Sequence, residues 1–169
     1  MIKALGAFTR IAADVLVKVS AVGLVAMTAI VGWQVFGRYV LNASPSWSEQ
    51  AALTLMIWYI SLAAAAGVRE GFHIRIVALE NAVGPKMKRG MRIVSDLIVA
   101  GCGVSMLIWG GELVLRTWSH PIPSLGLPRG LAYAGLPIAG SLIALFAIER
   151  LFEEAETPIT DDEEDPRWN

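Results

Sequence analysis

Apolar residues run almost unbroken through four blocks of this chain, from Val15 to Tyr39, Trp47 to Val68, Ile93 to Leu115 and Leu131 to Phe152. Each block is close to the roughly 20 residues that an α-helix needs to cross a hydrocarbon core about 30 Å thick. Apolar blocks of that length read as the helices of a bundle in a membrane. The pattern therefore predicts an all-α integral membrane protein with four transmembrane helices. The first block is interrupted only by Lys18, Gln34 and Arg38. It exceeds the apolar region of a secretory signal, about 7 to 15 residues, and reads as an uncleaved span.

The connections carry their own patterns. Between the second and third blocks, Ile74, Val77 and Ala78 recur on one helical stripe, with Ile76, Leu79 and Val83 close by, among Arg75 and Glu80. That spacing predicts an interfacial amphipathic helix over about residues 73–83, ending before Gly84 and Pro85. The segment from Ser119 to Arg129 holds Pro121, Pro123, Pro128 and Gly126, the composition of a rigid extended link. Most acidic residues lie from Glu149 onward, which predicts a short solvated extension of the fourth helix and then disorder. The expected layout is a four-helix membrane domain over 1–155 and an acidic cytoplasmic tail over 156–169.

Composition agrees with a membrane solvent: 55% of the 169 residues are hydrophobic, mean hydropathy is +0.56, and 17% are charged against about a quarter in soluble domains. The net charge of −1 gives no case for a nucleic-acid partner and hides a strong segregation. Lys3, Arg10, Lys18, Arg69, Arg75, Lys86, Lys88, Arg89, Arg92, Arg150 and Arg167 fall on one side of the four spans, and only Arg38, Arg116 and Arg129 on the other. Because cytoplasmic flanks retain Lys and Arg, both termini and the 69–92 loop are expected in the cytoplasm. Trp33, Tyr39, Trp47, Trp109, Trp118 and Tyr133 sit toward the outer span ends, as belt residues do, while Trp58 and Tyr59 lie deeper.

Charges within or beside a span are costly and are normally partnered, so they are the first candidates for function. Arg92 and Asp96 stand four apart, as do Glu112 and Arg116, so each acid can meet a base on its own helix. Interfacial ion pairs and a proton relay are the two readings of these intramembrane pairs. Arg38 closes the first span and Glu49 opens the second, which predicts an inter-helix salt bridge at the outer hairpin or, alternatively, contact with a partner protein. Trp47 beside Glu49 is either a belt anchor or part of that contact. Ala63 with Gly67, and Gly135 with Ala139, form small-x-x-x-small faces suited to close helix approach. Pro137 is expected to start or kink the fourth span. His73 and His120 fall at opposite ends of the bundle and cannot ligate one haem iron, and Cys102 is the single cysteine. No catalytic or metal motif is visible, so neither an enzyme nor a cofactor is expected. The absence of an internal repeat counts against an inverted-repeat carrier.

The run from Arg38 to Glu80 resembles the small membrane subunit, DctQ-like, of the tripartite ATP-independent periplasmic (TRAP) transporters. The likeness rests on Arg38 ending the first span, Trp47-x-Glu49 opening the second, and Arg69-x-Gly71-x-His73-Ile74 after a small-residue stretch. Leu125 to Pro128 and Pro137 extend it, so that it covers about residues 15–152. Gln50 departs from it, since the family often repeats an acid there. The resemblance implies a bacterial inner-membrane protein that braces a large TRAP membrane subunit and helps to dock a periplasmic substrate-binding protein. Uptake of an organic acid would be driven by sodium through the large subunit, with membrane lipids around the brace. A membrane anchor of a respiratory redox enzyme is the alternative class, and a standalone channel a third.

Overall fold

In the computed structural model the described residues are 2–43, 45–70 and 85–156. The expected amphipathic helix at 73–83, together with Gly71 and His73, and the acidic tail beyond Glu156 lie outside them.

The apolar blocks form helices, as lipid requires of a spanning backbone. In chain order they are α1 (Ile2–Tyr39), α2 (Ser48–Glu70), α3 (Pro85–Thr117), a short α4 (Arg129–Tyr133) and α5 (Gly135–Glu156). Four stretches are long and apolar enough to cross a membrane: Thr9–Tyr39, Ser48–Glu70, Met87–Thr117 and Arg129–Phe152. At about 1.5 Å per residue, the 38 residues of α1 extend about 57 Å, well beyond a hydrocarbon core.

The link before α4 is more structured than an extended connection. Strands β1 (Pro121–Ile122) and β2 (Leu127–Pro128) pair antiparallel, with Pro121 opposite Pro128. The amides of Leu125 and Gly126 donate to the Ile122 carbonyl at 3.1 and 2.9 Å, and Gly126 closes the turn with φ +67°, a conformation that suits glycine. Proline-rich composition concealed this hairpin because both prolines sit where no ladder N–H is required.

α1 packs on α2, α2 on α5, and α5 on α3. The inner pair is more enclosed: 44% of the apolar window of α5 and 33% of that of α2 is buried within the chain, against 6% for α1 and 11% for α3. The core is thin and rich in small residues, with Ala65, Val68, Ala139, Ile143, Phe146 and Ala147 at its centre. Outer faces remain apolar, as at Val22, Val25, Ile98 and Ile108, which matches a lipid surround.

Backbone contact fixes the α3–α5 pair. A Cβ on Gly103 would lie 2.6 Å from the Ala144 nitrogen, and one on Gly140 would lie 2.7 Å from the Gly103 oxygen. Only glycine permits such an approach, so α5 lies directly on the α3 backbone. Gly135 faces Trp58 of α2 at 3.2 Å in the same sense, and Ala139 is fully buried. Pro137 stands in the first turn of α5, where its missing N–H costs nothing, so it begins the helix and does not kink it.

Candidate functional site

The end of the bundle that carries the chain termini holds a charged network built by all four long helices. Thr9 of α1 is fully buried and its hydroxyl donates to Glu149 Oε1 of α5 at 2.9 Å, with the Gly6 carbonyl as a second acceptor at 3.1 Å. Arg69 of α2 donates from Nε to Thr9 Oγ1 at 3.2 Å and lies 3.4 Å from Glu149 Oε2. Glu149 is only 2% exposed. Its Oε2 makes no hydrogen bond among the described residues and is held by the Arg69 charge alone.

One residue further along α5, Arg150 reaches both neighbours. Its guanidinium donates to the Val68 carbonyl of α2 at 2.9 Å and pairs with Asp96 of α3 at 3.4 Å. Arg92 of α3 pairs with Glu154 of α5 at 3.5 Å. Asp96 is 5% exposed, so this is a desolvated ion pair whose loss would strand a charge. Spacing along α3 offers Asp96 the base four residues before it; the structure also brings Arg150 of α5 to Asp96 and Glu154 of α5 to Arg92. Glu149, expected in a solvated extension, is instead among the most enclosed side chains, because α5 turns that face onto α1 and α2.

At the opposite end the chain folds back tightly between α1 and α2. The Ala43 amide donates to the Gly37 carbonyl at 2.9 Å, and a Cβ on Gly37 would meet Ala43 O at 2.8 Å and Pro45 Cδ at 3.2 Å. Asn42 adopts φ +51°, the left-handed geometry common after a helix end. Ser48, fully buried, donates its hydroxyl to the Pro45 carbonyl at 2.8 Å. Arg38 and Glu49 are both exposed, and no ion pair joins them among the described residues. The expected inter-helix salt bridge is therefore absent, because hydrogen bonds and glycine packing close this hairpin and leave both charges pointing outward. Trp47 is 41% exposed and Tyr39 76%.

Glu112 and Arg116 are in contact along α3, on an exposed surface with side chains 51% and 75% accessible. Pro128 lies in β2, and the Arg129 amide after it donates to the His120 carbonyl at 2.9 Å. Trp58 donates from Nε1 to the Leu131 carbonyl at 3.1 Å, tying α2 to α4. Ala63 is exposed and nothing lies within 4 Å of a Cβ on Gly67, so that small-residue face of α2 is open while Gly135 and Ala139 are covered. Among the described residues no three His, Cys, Asp or Glu side chains group as metal ligands.

These features define a multi-pass helical membrane protein whose polar groups knit helices together. The family model for the DctQ component of tripartite ATP-independent periplasmic transporters matches residues 27–157, and the chain belongs to that family. A protein of Haemophilus influenzae named provisionally as a TRAP transporter small permease is 29% identical over 129 residues, covering 76% of this chain and 80% of the relative. The sialic acid TRAP transporter small permease SiaQ of Vibrio cholerae is 20% identical over 76% of this chain and 75% of its own. The C4-dicarboxylate small permease DctQ of Rhodobacter capsulatus is 29% identical over 66% of this chain and 50% of its own length. The chain is thus a non-catalytic component of a three-part bacterial transport system, in place of the redox-anchor alternative.

Sequence reasoning singled out Arg69, Asp96 and Arg92 but missed Thr9 and Glu149. Both polar residues lie where the helices converge, and Glu149 carried one available signal: it and Arg150 are the only charges within the last apolar block.

Proposed function

We propose that this chain braces the large membrane subunit of a TRAP transporter and that its outer hairpin helps to dock the periplasmic binding protein. The observation that carries the second part is the open pair of charges at Arg38 and Glu49 beside exposed Tyr39 and Trp47. Charges that do not satisfy each other are available to a partner, and exposed aromatic rings are common anchors of protein interfaces. A bracing role is supported by the chain's own construction. Among the described residues, the buried Thr9, Asp96 and Glu149 engage other helices of the bundle at its terminus end.

The Lys and Arg bias supports a reading with the termini in the cytoplasm of a bacterial inner membrane and the hairpin on the periplasmic side. The cargo in this reading is an organic acid, in keeping with the sialic acid and C4-dicarboxylate relatives. Sodium coupling belongs to the large subunit, and the small one needs no cofactor of its own. Sodium-dependent uptake by vesicles reconstituted with all three components tests the docking part. Arg38→Ala and Glu49→Gln are each expected to lower uptake severalfold at saturating cargo while the two membrane subunits still co-purify. Unchanged uptake in both variants would remove the hairpin from docking.

A further inference from the structure

A groove of about 360 Å³ runs between α2 and α3 with α5 as its floor. Ala64 and Val68 line one wall, Ser95, Ile98, Val99 and Cys102 the other, and Ile143 the bottom. The walls are almost wholly apolar, and the groove opens to the side of the bundle, where hydrocarbon would lie.

The wall formed by α3 continues toward the terminus end on a single helical stripe. Lys88, Arg92, Ser95, Val99 and Cys102 follow one another at alternating steps of four and three residues, so they share a face. From Lys88 to Cys102 that stripe covers about 21 Å at about 1.5 Å per residue. Its apolar part is therefore topped by cations. From Pro85 to Ser95, α3 carries Lys86, Lys88, Arg89 and Arg92 and no acid. The first carboxylate, Asp96, is 5% exposed and is engaged by Arg150. Arg92 pairs with Glu154 yet keeps 27% of its side chain accessible.

We infer that this groove binds one anionic phospholipid, with an acyl chain between α2 and α3 and the phosphate against Lys88 and Arg92. Apolar lining under a basic rim matches the division of a lipid into tail and headgroup. Glu154 balances Arg92, and Lys88 adds a further positive charge on the same stripe, which favours a net negative headgroup over a zwitterionic one. Shape favours the same occupant. A polymethylene chain is thin and flexible enough to reach Ile143 and gain contact along both walls of a groove of about 360 Å³. Neither the groove nor its rim depends on the transporter reading.

Native mass spectrometry of the full-length, delipidated protein tests this with phosphatidylglycerol and phosphatidylethanolamine as the two probes. One phosphatidylglycerol should be retained at least fivefold more strongly than phosphatidylethanolamine. Lys88→Gln should weaken phosphatidylglycerol retention roughly fivefold, the factor expected for one interfacial cation, and leave phosphatidylethanolamine unchanged. Ala64→Phe, which fills the groove from an exposed position, should weaken both lipids. Should that variant misfold by circular dichroism, Cys102→Phe blocks the facing wall and carries the same expectation. Equal retention of the two lipids, or retention indifferent to Lys88→Gln and to groove filling, would overturn the site. A helix of another protein seated in the groove of the assembled complex would overturn it as well.

Discussion

At the terminus end of the bundle, charges from α2, α3 and α5 and the Thr9 hydroxyl of α1 meet across helix interfaces, whereas at the loop end the same helices are joined by glycine contacts and backbone hydrogen bonds. Arg69, Glu149, Asp96 and Arg150 have little exposure and hold one another through desolvated charge. Gly37, Gly110, Gly130 and Gly135 let neighbouring atoms approach to 2.7–3.2 Å from where a Cβ would stand, and the loop-end charges Arg38, Glu49, Glu112 and Arg116 stay accessible. The difference teaches where each kind of interaction is useful in lipid. Close packing gains van der Waals contact without any desolvation penalty, while a buried ion pair adds little net stability but penalises any arrangement that separates its members. The charged end therefore specifies which helices meet, and the glycine end sets how closely.

The sharpest way to break that contrast is to strand a charge. Glu149→Ala removes the carboxylate that balances the Arg69 charge, together with one of the two acceptors of the Thr9 hydroxyl, and should cost about 3–5 kcal/mol, read as a large fall in the thermal midpoint of the detergent-solubilised protein. The double variant Arg69→Met with Glu149→Leu should recover most of that loss, because a matched apolar pair removes the stranded charge. A double variant as unstable as the single one would mean that the pair itself, and not the stranding, matters. Gly103→Leu should cost about 1–3 kcal/mol by forcing α3 from α5, and cross-linking of cysteines placed across that interface should fall with it. If Gly103→Leu proved more damaging than Glu149→Ala, backbone contact and not buried charge would be the stronger constraint on the bundle. Ser48→Ala removes one hydrogen bond to Pro45 and should cost about 1 kcal/mol. Glu112→Gln breaks an exposed pair and should shift stability by less than about 1 kcal/mol, the mark of a surface ion pair.

How much of this was legible beforehand follows from the range of each signal. Span number and helical class were readable because about 20 consecutive apolar residues is a local pattern with one physical solution in lipid. The start of α5 at Pro137 was readable for the same reason, since proline acts on its own turn. Asp96 and Arg92 were recognised as charges needing partners, yet their partners on α5 were not, because helix spacing reports only neighbours on one helix. Glu149 was taken for tail because it begins an acidic run, although its burial is decided by which face α5 turns inward. Arg38 and Glu49 erred in the opposite direction. Proximity in sequence suggested a bridge, while the tight turn through Gly37 and Asn42 directs both outward. The hairpin of Pro121–Ile122 with Leu127–Pro128 escaped notice because two-residue strands leave no periodic trace.

Arg69 lies at the end of the second span and Asp96 within the third, yet their partners Glu149 and Arg150 come at the close of the fourth. Helices are synthesised and inserted in sequence order, so the clasp cannot close while the chain is still being made. Through biogenesis, Arg69 and Asp96 wait for the last span, and its arrival joins all four helices at once. A product stopped before Glu149 therefore lacks the α5 partners of Arg69 and Asp96, so the charged contacts between helices are completed only by the final turns of the last span.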